Sequence, residues 1–388
     1  MKVLVEATPV LPRPSGVGLY VINLLAALAA LQETEGFHLG LTYQPSLKNW
    51  LRGNFTLPEV LNSYPNPVVL PLPVRLLNLL MQLPGHGPIL ASLEDRFGRP
   101  DLYHGTNYSV FPCRHSQRLI TIYDLCFLRY PQYVTAVSRG YRHQIQRCLG
   151  WSDLVLTISE SSKRDIEEYL GVDRNRIRVT PLASRYARDA LGPGIVAQKP
   201  AYLGPELLGE RPYILFVSTL EPRKNLLTLI QAFNQLKSQH RIDHQLVLVG
   251  QRGWQVDPIF AAIAASPWHG HIHHLDYLSD AQVAYAYAHA DLFAYPSWYE
   301  GFGLPVLEAM TLGCPVVAAR SSSLPEVAGE AALLVDPASP EELAAACWRV
   351  ISDRVLRQSL ITQGYAQADQ FSWRRTAQAT LAAYQSLL

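Results

Sequence analysis

Residues 296–317 read PSWYEGFGLPVLEAMTLGCPVV. The run DLFAY that leads into them is apolar enough for a buried strand, Pro305 suits the first turn of a helix, and Gly313 suits its stop. A strand, a glycine loop and a helix in this order form the ligand-facing turn of a parallel α/β sheet. Gly301 and Gly303 let the backbone, with Phe302 and Leu304, come close to a ligand. The helix start beyond them points unpaired N–H groups and a positive dipole end at it, so an anion such as a diphosphate is the expected guest. Glu300 precedes the glycines and Glu308 lies one turn into the helix. At these two depths the carboxylates can accept hydrogen bonds from hydroxyls on different parts of one bound molecule. The plain alternative is a strand-to-helix turn with a solvated Glu300 and a dipole-favoured Glu308.

A second element stands at the matching place earlier in the same half. The strand pattern YILFVSTL is followed by EPRKN, residues 221–225, which puts Arg223 and Lys224 at a strand's carboxyl end. From there two fixed cations can neutralise a diphosphate from the opposite side. Read alone, the same residues make an exposed basic turn.

Outward from these loops, short apolar runs alternate with helical patterns along the whole chain. KVLVEA, LYVINLLAALAALQ and FHLGLTYQ open the first series, and RPYILFVSTL, NLLTLIQAFNQLKSQ, QLVLVG, HIHHLDYL, DAQVAYAYAHA and DLFAYPS make up the second. This rhythm predicts parallel sheets covered by helices, doubly wound, with ligands outside the carboxyl ends of the strands. Between the series lies ARDALGPGIVAQKPAYLGPELLGERP, rich in Gly and Pro and without a period, which reads as a linker. The expected division is 1–195 for an amino-terminal, acceptor-side domain, 196–211 for the linker and 212–371 for a nucleotide-binding domain. The terminal helix 372–388 is expected to pack back toward the first domain, with Ser372 as its cap.

At 388 residues, 48% hydrophobic and 17% charged, the chain has the balance of a two-domain globular protein. MKVLVEATPVL holds Glu6 and Pro9 within its apolar run and reads as a first strand, not a signal peptide. VRLLNLLMQL, residues 74–83, is broken by Arg75, Asn78 and Gln82, so it is expected to pack on the sheet and not to span a membrane. Five scattered cysteines without a C-x-x-C pair fit neither a disulfide framework nor a zinc site and suit a reducing cytoplasm. The histidines at 271, 273 and 274 have no Cys or carboxylate placed to close a metal sphere. Residues 1–200 carry 21 Lys and Arg against 15 Asp and Glu, whereas residues 201–388 carry 12 against 17. A basic first half favours an anionic partner, a phosphate-linked acceptor or the inner membrane surface, and Arg139, Arg142, His143 and Arg147 at helical spacing could contribute to it. No feature calls for a nucleic acid.

In the first half, SGVGLY follows the first strand and precedes a helix, so Gly16 and Gly18 could admit donor phosphate or sugar near backbone N–H groups. The third glycine of a dinucleotide fingerprint is missing, and no acid ends the strand HLGLTY where a ribose-binding one belongs, which weakens a dehydrogenase reading.

The set EGFGLPVLE, with EPRKN before it and SSSLPEVAGEAALLVDP after it, resembles glycosyltransferase family 4. The resemblance covers nearly the whole chain, because MKVLVEATPVLPRPSGVGLY, HGTNYSVFP, TIYDLCFLRYP, TISESSKRDI and FSW follow in the same order as that family's segments. It implies the α/β GT-B fold, two Rossmann-like doubly wound domains facing across a cleft, and retaining transfer of a mannose- or glucose-type sugar in polysaccharide biosynthesis. The implied donor is a nucleotide-sugar of GDP or UDP type and the acceptor a glycan or a lipid-linked glycan, with no metal or other cofactor. The implied place is the cytoplasm, with peripheral contact to the membrane. By position the resemblance gives Glu300 to the donor sugar, Glu308 to the ribose, and Arg223 and Lys224 to the diphosphate. Similar proteins carry His before the Asp of TIYDL, near the reacting face of the sugar; here Tyr123 precedes Asp124. His104 in YHGTN and Ser159 in TISES end other strands and are further candidates for the acceptor side. The other classes left open are a nucleotide-binding protein without transfer activity and a dinucleotide-dependent oxidoreductase. No Asp-x-Asp pair is present to hold a cation.

Overall fold

The computed structural model describes residues 1–11, 16–80, 87–135, 140–188 and 211–388. They form two compact units: Met1–Leu128, Ala136–Leu182 and Trp373–Leu388 make the first, Arg129–Thr135 and Ala183–Ser372 the second. The expected linker, 196–211, lies outside the described residues except for Arg211.

The first unit is built on a seven-stranded sheet of β1 (Lys2–Glu6), β2 (His38–Tyr43), β3 (Val68–Val69), β4 (Leu102–Gly105), β5 (Gln117–Thr121), β6 (Leu154–Thr157) and β7 (Ile177–Val179). All pairings are parallel, in the order β3-β2-β1-β4-β5-β6-β7. Strands covered on both faces must be apolar throughout, and Val3, Val5, Leu102, Leu119, Ile120, Val155 and Leu156 are fully buried. The helix Gly16–Ala29 buries Tyr20, Val21, Leu24, Leu25 and Leu28. Against it lies the terminal helix Trp373–Gln385, with Trp373 at 6.3 Å from the Tyr20 ring. The carboxyl-terminal helix is thus part of the first unit. Its buried face holds Thr376, Ala377, Thr380, Leu381, Ala383 and Tyr384, and Thr376 donates to the Pro181 carbonyl at 2.6 Å. Burial of Leu381 alone contributes roughly 1.5–3 kcal/mol. The segment expected to pack on the sheet from residue 74 is helical over Val74–Leu80, and its continuation to residue 83 lies outside the described residues. So does Arg139 of the basic stripe, whose other members sit on the helix Tyr141–Leu149 or at its start.

The second unit repeats the plan with β8 (Tyr213–Val217), β9 (Gln245–Val249), β10 (Ile272–Leu275), β11 (Leu292–Tyr295), β12 (Val316–Ala319) and β13 (Ala332–Val335). The order is β10-β9-β8-β11-β12-β13, again all parallel. In each unit the strand order reverses once, between β1 and β4 in the first and between β8 and β11 in the second. Helices leave opposite faces of a sheet on the two sides of such a point, and the crevice they open lies outside the strands' carboxyl ends. In the second unit the two segments that diverge there are the sequels of β8 and β11, which are EPRKN and PSWYEGFG. Strand pairing, Leu292 with Ile214 and Phe293 with Leu215, is what brings these distant stretches side by side.

Candidate functional site

After β8 the chain makes a 3₁₀ turn over Pro222–Lys224 and leaves it through Asn225 in the left-handed region at φ 58°. Asparagine tolerates that conformation better than most residues, and here its side chain has work to do. The Asn225 amide donates to the Pro296 carbonyl at 3.0 Å and to the Pro337 carbonyl at 2.7 Å, while its Oδ1 accepts from Thr228 Oγ1 at 2.8 Å. Trp298 N–H donates to the Arg223 carbonyl at 2.9 Å. The two loops are thereby joined into one rigid floor.

The glycine loop ends at Gly303, whose φ of 104° favours glycine and whose Cβ position would lie 2.6 Å from Leu324 Cδ2, so a side chain there would also have to displace Leu324. Beyond it the helix Leu304–Thr311 starts with proline in its first turn, and Gly313 follows its end at φ 76°. Ser323 Oγ donates to the carbonyls of Glu300 at 2.9 Å and Phe302 at 2.7 Å, and Ser322 Oγ accepts from the Glu300 N–H at 2.8 Å. The Phe302 ring meets Phe371 edge to face at 5.7 Å, so this side chain packs and only its backbone belongs to the loop surface.

Arg223, Lys224 and Glu300 meet in a single cluster. Lys224 Nζ lies 2.7 Å from Glu300 Oε1 and 2.8 Å from the Tyr295 hydroxyl. Arg223 reaches Glu300 Oε2 at 2.9 Å, the Tyr299 carbonyl at 2.6 Å and Glu221 Oε1 at 2.6 Å. Lys224 is 5% exposed and Glu300 7%, so the reading of EPRKN as an exposed basic turn and of Glu300 as a solvated residue is corrected. Buried ions of one sign would not be tolerated; two cations against Glu221 and Glu300 are. Burial alone would push the Glu300 carboxyl up, but Arg223 and Lys224 more than offset it and bring its pKa down to about 2. Burial and Arg223 lower the Lys224 ammonium, and Glu300, Tyr295 and Glu221 reverse this to a net rise. Both residues are therefore charged at neutral pH. A carboxylate has about four acceptor positions, and those left beside the two cations suit hydroxyl donors.

A consequence for stability follows. The folded pKa of Glu300 lies below the ordinary 4.5, so its contribution is full above about pH 5 and is lost as pH falls toward 2. On the order of 3 kcal/mol should disappear over that range. Urea melts at pH 5 and pH 3 should show a larger loss for the wild type than for Glu300→Gln; equal losses would refute the assignment.

Glu308 sits one turn into the helix, 5% exposed. Its Oε1 lies 2.9 Å from Arg185 Nε, its Oε2 3.4 Å from Arg185 NH2 and 3.4 Å from the Tyr287 hydroxyl. Burial pushes the Glu308 carboxyl up and Arg185 pulls it back, with the net shift upward.

Other expected positions take structural parts within the first unit. His104 is fully buried at the end of β4, with Nδ1 2.7 Å from Tyr384 Oη and Nε2 2.7 Å from Thr121 Oγ1. Burial lowers its pKa to about 3, which leaves a neutral imidazole with both nitrogens occupied. Ser159 is 2% exposed and caps the helix Glu160–Leu170 by accepting from Ser162 N–H. Both side chains are thus buried and have internal hydrogen-bond partners, and a part on the acceptor side stays a proposal for each. The Tyr123 hydroxyl donates to the Thr106 carbonyl at 2.5 Å, within a ring cluster with Tyr20 and Tyr108. Asp124 Oδ1 accepts from the Cys126 N–H at 3.0 Å. Gly16 is the exposed first residue of its helix with open space where a Cβ would stand, and Gly18 is buried. His274 Nε2 contacts the Gly250 carbonyl at 2.8 Å, and His271 lies in a 3₁₀ turn ahead of β10. Among the described residues, no three His, Cys, Asp or Glu side chains are grouped to hold a metal.

Sequence reasoning missed Glu221, Tyr295, Asn225, Ser322 and Ser323 as partners of the site, although all lie in or next to its motifs. It also missed Arg185, which no motif contains.

The two parallel-sheet α/β units, each with its loops at a switch point, have the GT-B fold. Sucrose-phosphate synthase of Thermosynechococcus elongatus has the same fold at a TM-score of 0.75, with 20% identity, over 100% of this chain and 98% of that one. HepE of Anabaena, solved with UDP and glucose, matches at 0.70 with 19% identity over 100% of both chains. The family description Glycosyl transferases group 1 matches residues 204–367 and Glycosyltransferase Family 4 matches residues 14–183. The O-antigen chain mannosyltransferase B of Escherichia coli is 31% identical over 414 residues, covering 100% of both chains. The chain belongs to glycosyltransferase family 4. Over 60% of this chain it is also 32% identical to the MMP alpha-(1->4)-mannosyltransferase of Mycolicibacterium hassiacum, of which 54% is covered.

Proposed function

We propose that this glycosyltransferase moves mannose from a nucleotide diphosphate donor, of GDP or UDP type, onto a glycan or lipid-linked glycan acceptor with retention of the anomeric configuration. The observation that carries the reading is the buried cluster of Glu300 with Arg223 and Lys224 at the switch point of the second unit. Glu300 offers its remaining acceptor positions to hydroxyls of the donor sugar. Arg223 and Lys224, with the N–H groups of the glycine loop and helix start, face the diphosphate. As the glycosidic bond breaks, negative charge grows on that leaving group, and preorganised donors there are worth roughly 3 kcal/mol each. The acceptor hydroxyl attacks from the face the diphosphate leaves, and a diphosphate oxygen takes its proton. No protein nucleophile is required.

Relatives named as mannosyltransferases support the choice of sugar. An O-antigen relative supports a place in polysaccharide assembly. No helix among the described residues is long and apolar enough to cross a membrane.

Thermal shift of the full chain with UDP, GDP, ADP and NAD, followed by transfer assays with the matching sugars, tests the reading. Stabilisation by one nucleoside diphosphate and turnover of its mannose conjugate are expected. Stabilisation by NAD alone would overturn it. The fixed cations are proposed to take the place of a metal, so activity should survive exhaustive EDTA treatment within about twofold. An absolute need for added Mg²⁺ or Mn²⁺ would show that the diphosphate is neutralised in another way.

A further inference from the structure

We propose that Arg185 is a positioning residue of the nucleotide site, one that holds the Glu308 carboxylate ready for the ribose hydroxyls of the donor. The proposal rests on the reading of Glu308 as the ribose-binding carboxylate.

Arg185 follows the last strand of the first sheet in sequence but belongs to the second unit. Its guanidinium spans two carboxylates. Nε and NH2 face Glu308 at 2.9 and 3.4 Å, and NH1 is 2.9 Å from Asp280 Oδ1. The Nε approach is a close ion contact whose N–H is not aligned on the oxygen. The guanidinium carbon stands 5.0 Å from the centre of the Tyr186 ring, and the Tyr186 hydroxyl donates to the Asp280 carbonyl at 3.2 Å. Asp280 is itself placed by local sequence. Ser279 and Gln282 close a capping box at the start of the helix Asp280–His289, which puts Asp280 in its first turn. Tyr287, two turns on, brings its hydroxyl to Glu308.

Three considerations favour positioning over simple packing. First, Glu308 is almost wholly buried, and an unpaired buried carboxylate would take up a proton or leave its place. Arg185 is the strongest influence opposing that, ahead of Tyr287. Secondly, Arg185 NH2 and the Tyr287 hydroxyl both donate to Oε2, whereas the Arg185 Nε–H is not aligned on Oε1, so the acceptor positions of Oε1 remain for a ribose hydroxyl. Thirdly, Arg185 is tethered on its far side by Asp280 and Tyr186, so its own orientation is preset and little freedom is lost when a ligand arrives. The alternative role is a plug that occupies Glu308 until nucleotide displaces it. The two roles have opposite signs in binding.

The test measures calorimetric affinity of the full chain for free UDP and GDP, together with kcat and KM for the donor, in Arg185→Ala, Arg185→Lys, Glu308→Ala and the Arg185→Ala/Glu308→Ala double variant. Thermal melts confirm that each is folded. Arg185→Ala is expected to weaken nucleoside diphosphate binding about tenfold and to raise KM, with kcat within about threefold. Arg185→Lys should recover part of the loss, since it keeps the charge without the fork. The double variant should bind no worse than Glu308→Ala, because Arg185 acts through Glu308. Tighter binding in Arg185→Ala would identify a plug and overturn the proposal. Unchanged binding there, or losses that add in full, would overturn it while leaving Glu308 on the ribose. Wild-type affinity in Glu308→Ala would overturn the ribose reading and the proposal with it.

Discussion

Lys224→Ala is expected to lower kcat by about 10²-fold or more, with a smaller effect on KM. The ammonium is buried against Glu300 and Tyr295, so its charge is poorly screened and acts at close range on whatever lies beside Glu300. If it serves the diphosphate, its interaction strengthens as negative charge accumulates on the leaving group, and the loss falls on the transition state. Burial adds a second effect. Removing one member of a buried ion pair commonly costs roughly 3–5 kcal/mol of stability, so assays must run well below the variant's melting temperature. Lys224→Arg keeps the charge but brings a larger, planar head into a fully enclosed space, so only partial recovery is expected. Wild-type turnover and donor affinity in Lys224→Ala would return the EPRKN cluster to a purely structural role.

Glu300→Gln should also reduce kcat by about 10²-fold, but with a different signature. The amide has the shape of the carboxylate without its charge, and the hydrogen bonds it accepts from sugar hydroxyls are about half as strong. Glutamine also leaves Arg223 and Lys224 balanced by Glu221 alone, so positive charge facing a bound diphosphate rises. Affinity for the free nucleoside diphosphate should therefore be unchanged or greater, while turnover of the sugar conjugate collapses. A parallel loss in both would place Glu300 on the nucleotide and not on the sugar.

Much of this protein was legible in its sequence because the relevant physics is local. Buried parallel strands must be apolar runs, glycine and proline mark the turns between them, and the two series announced two sheets. DLFAY followed by EGFGLP marked a strand, a loop and a helix start, and all three are found where expected. The fate of single polar residues at strand ends was not legible. His104, Ser159 and Tyr123 occupy positions that suit ligand contact equally well, and only the packing of Tyr384, Thr121, Ser162 and Thr106 around them shows that their polar atoms also have partners inside the unit.

The sequence by itself determined the fold class, the loops at the strand ends and the residue types they carry, since periodicity, turn chemistry and helix starts depend on neighbours a few positions away. Only the tertiary structure decided that Lys224 and Arg223 share one carboxylate at separations of 76 and 77 in residue number, and that Arg185 meets Glu308 at a separation of 123. Such pairings follow from strand order and from the cost of leaving a buried charge alone. Neither has a period that a linear reading can detect.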